Sequence, residues 1–259
     1  MGIFCETTGA ERLEPRETSF ADVEREMPFF AERPTFPSGP TARAESRFSR
    51  SSEVFRPIAG LPETRQETHV MEDGSTLFDS PVETGALLNS RQGRGIEGFE
   101  GTCGIVSAEN VARLAGKDIT EADAVGVACD QGLCLKGQDC PGDNGAINPE
   151  GIAALLDALG IEPLLVLPPT IDALARLVEG GHGVIAVVEV GRFWEEAVEE
   201  SKHAVAVTSV ERDQDGGLSA FYVCDSGTGG DDSARRVSAG LMGESLSGDP
   251  IIATAQVIR

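Results

Sequence analysis

Lysine is nearly absent from these 259 residues. Three lysines and 18 arginines stand against 43 acids, for a formal net charge of −22. Such a chain repels phosphate backbones, and its longest basic run is Arg235-Arg236, so nucleic acid is excluded as a partner. Long apolar runs are missing too. None approaches the ~20 residues of a spanning helix, so no membrane span is expected. No Gly-rich loop ends in Lys-Ser or Lys-Thr, which excludes a P-loop ATPase. Met1-Gly2-Ile3-Phe4-Cys5 runs into Glu6 without the apolar core of a secretory signal. That implies synthesis in the cytoplasm and leaves open export by a secretion system that reads no cleavable signal.

What is present divides the chain in two. Hydrophobic residues are 40 %, enough for a real core, and the length suits one domain with an appendage. Residues 1–88 hold eight of the 14 prolines and eight of the 11 phenylalanines, with no sustained period of 2 or 3.6. They read as a Pro/Phe-rich, partly disordered N-terminal extension, and 89–259 as the folded domain. Disordered linkers are normally poor in aromatics, so the six phenylalanines from Phe20 to Phe55 suggest anchors. They would dock as a pro-region on the domain itself, or on a delivery, chaperone or immunity protein; an incidental floppy tail is the third reading.

The chemistry concentrates at Gly101-Thr102-Cys103-Gly104, which opens an amphipathic run ending at Gly116. A thiol at a helix N-terminus ionises more easily, because unpaired N–H groups and the dipole favour the thiolate, and the thiolate is the nucleophile. The flanking glycines suggest close approach of a ligand. A buried structural cysteine is the alternative. A base must be one of three histidines, His69, His182 or His203. Only His203 begins a strand, His203 to Val210, followed by the turn Asp213-Gln214-Asp215-Gly216-Gly217 and a second strand ending at Asp225. Antiparallel pairing brings the start of the first strand beside the end of the second, so Asp225 can orient His203. His182 lies in the turn Gly180-Gly181-His182-Gly183 and is expected to be structural.

Cys-Gly opening a long helix, then a His-Ala-Val strand leading to an Asp, resembles the papain-like cysteine peptidases of the bacteriocin-leader-processing type. The resemblance covers roughly 92–258. It implies a papain-like α+β fold, with a helical half carrying Cys103 and an antiparallel sheet half carrying His203 and Asp225. It also implies a thiol protease with a Cys103-His203-Asp225 triad that cleaves peptide bonds of a protein or peptide substrate. No cofactor and no metal is implied. The Cys103 amide would form part of an oxyanion hole with a glutamine a few residues upstream. Here the chain departs from the pattern: six before Cys103 stands Glu97, which cannot donate when ionised. Gln92 takes the role if the loop from Gly93 to Gly101 bulges out. The stretch from Gly101 to about Asp123 resembles the stand-alone toxins and effectors of bacterial competition in this family more than the transporter-fused members. The same constellation serves deamidases and transferases, and a catalytically inactive binding module is a further alternative.

Other residues have plainer readings. Cys129, Cys134 and Cys140 lack the two-residue gaps of zinc sites; free thiols in a surface loop are expected, with a disulfide or a metal as the alternatives. Trp194 is either a cleft wall or a core aromatic. Glu109 and Asn110 are expected to cap or meet solvent, and Ser226 and Thr228 to stabilise a turn. The glycine pairs 180–181, 216–217 and 229–230 read as turns. Helices are expected over Cys103 to Ala115, from the Thr120/Asp123 capping box, from Asn148-Pro149 to Gly160, and from Thr170 through Leu177. Strands follow at 164–167, 184–190, the pair bearing His203 and Asp225, and 251–258. Helices first and strands later mean α+β, not alternating α/β.

Overall fold

A computed structural model describes residues 68–78, 91–195, 201–227 and 235–258. All of these belong to one compact unit. In order they form β1 (Thr68–Val70), β2 (Thr76–Phe78), α1 (Cys103–Leu114), α2 (Glu121–Asp130), α3 (Pro149–Ala158), β3 (Pro163–Val166), α4 (Ile171–Glu179) and β4 (His182–Glu189). Then come α5 (Val190–Phe193), β5 (Lys202–Arg212), β6 (Leu218–Cys224), β7 (Arg235–Ser238), α6 (Ala239–Ser245) and β8 (Ile251–Val257). The strands make one curled antiparallel sheet in the order β1-β2-β5-β4-β8-β3, with β6 branching from β5 and carrying β7. A helical layer that opens on Cys103 lies against a sheet that carries His203 on β5 and leads into Asp225 just after β6, which is the papain-like α+β arrangement.

Local capping chemistry sets the helix starts. Thr120 and Asp123 form the reciprocal capping box; the side chains of Asn148 and Thr170 accept from the N–H groups of Gly151 and Ala173. Gly116, at φ +79°, takes the left-handed backbone that stops α1.

Two cores sandwich the central strands. Val184, Ala186 and Val188 of β4 face a cluster with Leu174, Leu177, Phe193 and Met242; Ile185 and Val187 face the helices α1 to α3. With both faces covered, β4 reads as a continuous apolar run. On β5 the alternation is by size. Val205 and Val207 fill the first core, while Ala204 and Ala206 lie on the helical side, where Ser107 Oγ of α1 donates to the Ala204 carbonyl at 3.1 Å. Alanines there let α1 approach the sheet closely.

Several elements differ from expectation. Most of the expected extension, 1–88, and the boundary at 89 lie outside the described residues. Within it, however, 68–78 form a hairpin whose second strand pairs with β5, so among the described residues the sheet includes Thr68 to Phe78. Two three-residue strands carry too little period to be read. β7 and α6 were hidden for the same reason. His182 lies in β4, not a turn; it is buried, and its Nδ1 meets the Thr254 carbonyl at 2.8 Å. Glu109 and Asn110 are buried because the sheet and neighbouring helices enclose α1 almost all round; Glu109 pairs with Arg113 one turn on.

The glycines flanking Cys103 approach protein. A Cβ on Gly101 would come 2.2 Å from the Gly142 carbonyl oxygen, and one on Gly104 would come 2.5 Å from Ile147 Cγ2 and 3.0 Å from Ile152 Cδ1. Gly104→Ala is therefore expected to destabilise the protein by about 1–3 kcal/mol through overpacking. Urea unfolding would measure it, and a neutral result would mean that Ile147 and Ile152 yield freely.

Candidate active site

Cys103 is the first residue of α1, half-buried, and held by the close contact of α1 with β5. Its thiol interacts with His203. His203 is the second residue of β5 and is buried. Its Nε2 lies 2.8 Å from Asp225 Oδ1, which leaves Nδ1 for the thiol. The ladder shows how the acid arrives. Ala206 pairs with Cys224, so Asp225 falls one step on, opposite Val205, and His203 shares a strand face with Val205. Asp225 is thus the diagonal neighbour of His203 across the two strands.

Each ionisation is set by its partners. Burial works against the thiolate, yet the bond to His203, its charge and the backbone N–H groups of Ala204 and Gly104 hold the Cys103 pKa below the ordinary thiol value. Burial also works against the imidazolium, and hydrogen bonds to Asp225 and Cys103 overcome it, so the His203 pKa is pushed up to about 9. Burial would raise the Asp225 pKa, but His203, the Trp194 indole and the Gly227 N–H hold it at about 2. The arrangement favours a thiolate–imidazolium pair backed by a carboxylate.

Two residues to which the sequence assigned no bond with the acid complete the carboxylate's surroundings. Trp194 Nε1 donates to Asp225 Oδ2 at 2.8 Å, and its ring centroid lies 5.1 Å from that of His203. Arg235 Nη1 lies 3.3 Å from the same oxygen, with its guanidinium 4.6 Å from the Phe193 ring centroid. Trp194 is therefore neither a plain core aromatic nor only a wall. Gly227 makes room for it: a Cβ there would come 2.7 Å from the indole Cζ2.

Gln92 is tied to the sheet half through Ser226, the residue after Asp225. Its backbone N–H donates to the Ser226 carbonyl at 3.2 Å, and Ser226 Oγ donates to Gln92 Oε1 at 3.1 Å. Gln92 Nε2 donates to the Glu100 carbonyl at 2.9 Å, which leaves its amide a second N–H. Glu97 is exposed in the intervening loop. Ser226 thus does more than stabilise a turn, and Thr228 lies outside the described residues.

The cysteine loop is apart from this chemistry. Cys129 and Cys134 are free thiols with sulfurs 3.5 Å apart. Burial and the neighbouring Cys129 push the Cys134 thiol up to about 12. Among the described residues no three His, Cys, Asp or Glu side chains converge as a metal site requires. Glycine pairs 180–181 and 216–217 are turns, with Gly181 and Gly216 at positive φ; 229–230 lies outside the described residues. Among the described residues no helix is long and apolar enough to cross a membrane.

Iodoacetamide near neutral pH is expected to modify Cys103 ahead of the half-buried Cys129, Cys134 and Cys140 and the buried Cys224, read by peptide mass spectrometry. Equal labelling would contradict the activation of Cys103. Trp194→Phe removes a donor from a buried carboxylate and should cost about 2 kcal/mol at neutral pH. The sign follows from the depressed Asp225 pKa: its stabilisation is present above the unfolded value of 3.8 and is lost as pH falls through about 2. Urea titrations at pH 7 and at low pH should therefore show the wild-type advantage only at the higher pH.

No family model matches the chain, and no curated protein matches it. Among solved structures it is similar to a protein described as a C39-like peptidase from Bacillus anthracis. The identity is 15 % and the TM-score 0.47, over 66 % of this chain and 96 % of that one. It is also similar to a double-glycine-motif protease from an AMS/PCAT transporter, solved in complex with the leader peptide. There the identity is 14 % and the TM-score 0.40, over 64 % of this chain and 97 % of that one.

Proposed function

We propose that this chain is a cysteine peptidase that cleaves peptide bonds of a protein or peptide substrate through Cys103, His203 and Asp225. The observation that carries the reading is the succession of three groups: a half-exposed thiol at a helix start, a buried imidazole whose hold on its proton the thiol strengthens, and a fully buried carboxylate 2.8 Å from that imidazole. A structural cysteine needs no such base, and a buried ion-pairing histidine needs no thiol.

The chemistry follows from the positions. The Cys103 thiolate attacks the scissile carbonyl carbon, a C–S bond forms, and the carbonyl electron pair moves onto oxygen. The Cys103 N–H, which as the first of its helix has no intrahelical acceptor, and the second Gln92 Nε2–H would receive that oxyanion. The His203 imidazolium gives its proton to the departing amine as the C–N bond breaks. His203, now neutral, takes a proton from water, which attacks the acyl-enzyme and releases the acid and the thiolate. Asp225 fixes the ring so that Nδ1 faces the sulfur throughout. A deamidase would use the same steps on a side-chain amide.

Cys103→Ala should abolish cleavage of proteins in a cell lysate, scored as new N-termini by mass spectrometry, while leaving the melting curve in place. Cleavage that survives this substitution would end the proposal, and products shifted by one mass unit without chain breaks would identify a deamidase. Peptide hydrolysis should fall as pH rises through about 9, where His203 loses the proton it must donate. Alkylation of Cys103 should not fall there, because it needs only the thiolate. The same Cys103→Ala substitution should lower the His203 pKa, measured by NMR of the ring carbons, because the hydrogen bond and charge of the sulfur are lost.

A further inference from the structure

The loop between Gln92 and Cys103 is held by one carboxylate that none of the proposed chemistry uses. Glu121, the first residue of α2, is buried. Its Oε1 accepts from the Gly93 N–H at 2.8 Å and from the Thr102 hydroxyl; its Oε2 accepts from the Arg94 N–H at 2.9 Å and the Gly95 N–H at 2.5 Å. The Gly93 N–H also reaches Thr102 Oγ1 at 3.1 Å. Three successive backbone N–H groups converging on one anion form a nest, and Gly93 at φ +77° supplies the left-handed turn within it. A Cβ on Gly95 would come 2.7 Å from the Ala122 nitrogen and 2.9 Å from Glu121 Cβ, so the approach needs bare backbone.

The two ends of this cluster matter most. Gly93 follows Gln92 directly, and Thr102 precedes Cys103 directly. One carboxylate therefore clamps the neighbours of both expected oxyanion donors, although ten residues, 93–102, separate them in the chain. We propose that Glu121 is a positioning residue: by fixing Gly93 against Thr102 it sets the Gln92 amide beside the Cys103 N–H and replaces the shorter spacing that Glu97 disrupts. This rests on the peptidase reading above. Glu121 touches no reacting atom. Its effect should be confined to steps in which negative charge develops on the carbonyl oxygen, because the thiol is placed by the packing of α1 on β5 and the imidazole by β5 and β6 instead.

Two probes separate these steps on the full chain. Iodoacetamide alkylates by displacement at a saturated carbon and needs no oxyanion hole. The peptide aldehyde acetyl-Ala-Ala-alaninal adds the Cys103 sulfur to its carbonyl carbon, and its oxygen takes up the negative charge, or the His203 proton, in the hole. Glu121→Gln keeps the shape but turns one acceptor into a donor facing backbone N–H groups. It should weaken the aldehyde about tenfold and leave the pH profile of Cys103 alkylation unchanged. Gln92→Ala should weaken the aldehyde about 10²-fold, the scale of losing one oxyanion donor. The double variant should be no worse than Gln92→Ala alone, since two residues acting through one contact are not additive.

Additive losses, an unchanged aldehyde affinity in Glu121→Gln, or a parallel loss of alkylation rate would each overturn the positioning role. Should Glu121→Gln not fold, Thr102→Val, which removes only the hydroxyl from the cluster, must show the same selective loss and the same non-additivity; lacking either, the proposal falls. A wild type that alkylates quickly but forms no hemithioacetal overturns the peptidase reading together with this one, whereas normal wild-type binding with an unaffected Glu121→Gln overturns this one alone.

Discussion

One buried imidazole ring sits where the helical layer meets the sheet. His203 is buried, a state that on its own favours the neutral ring, and it keeps a raised affinity for its proton only because a sulfur from the helical layer and a carboxylate from the sheet both bond to it. Neither partner is near His203 in the chain. The bond exists because α1 lies close enough to β5 for its first residue to reach the second residue of the strand. That closeness rests on alanine at 204 and 206, where valine fills the opposite face, and on Gly104 beneath Ile147 and Ile152.

The carboxylate shows the same economy of partners. A buried Asp225 bonded only to His203 would leave one oxygen bare, at a cost of 1–3 kcal/mol or more. The Trp194 indole and the Arg235 guanidinium occupy that oxygen, and Gly227 gives the indole its space. Arg235 faces the acid that supports the imidazolium, so it steadies the carboxylate's charge while tempering its pull on His203. Trp194 follows the short helix α5 and Arg235 opens β7. The site therefore depends on two small elements that contribute little apolar area of their own.

The elements legible in the sequence were those whose signals are local. The Thr120/Asp123 box, the Asn148-Pro149 start and the Thr170 cap each complete their hydrogen bonds within one turn, so neighbours in the chain suffice to announce them. The His203 and Asp225 strands were legible because a turn joins them. The hairpin at 68–78, β7 and α6 were not, since segments of three to seven residues show no clear period. Glu109 and Asn110 look like solvent-facing groups on an amphipathic helix; what buries them is the enclosure of α1, which no helical period contains.

Residue order alone announced the pieces: a cysteine at a helix start, a histidine near the start of one strand, an acid just past the end of its partner, and too little lysine to court phosphate. Those follow from propensity, capping and antiparallel pairing, which act over a few residues or across a single turn. Only the tertiary structure decided that Trp194 and Arg235 share the acid's second oxygen, that Gln92 reaches Ser226, and that Glu121 ties Gly93 to Thr102. Each of these contacts spans many residues of chain, and their geometry exists only once close packing has brought distant backbone within hydrogen-bond reach.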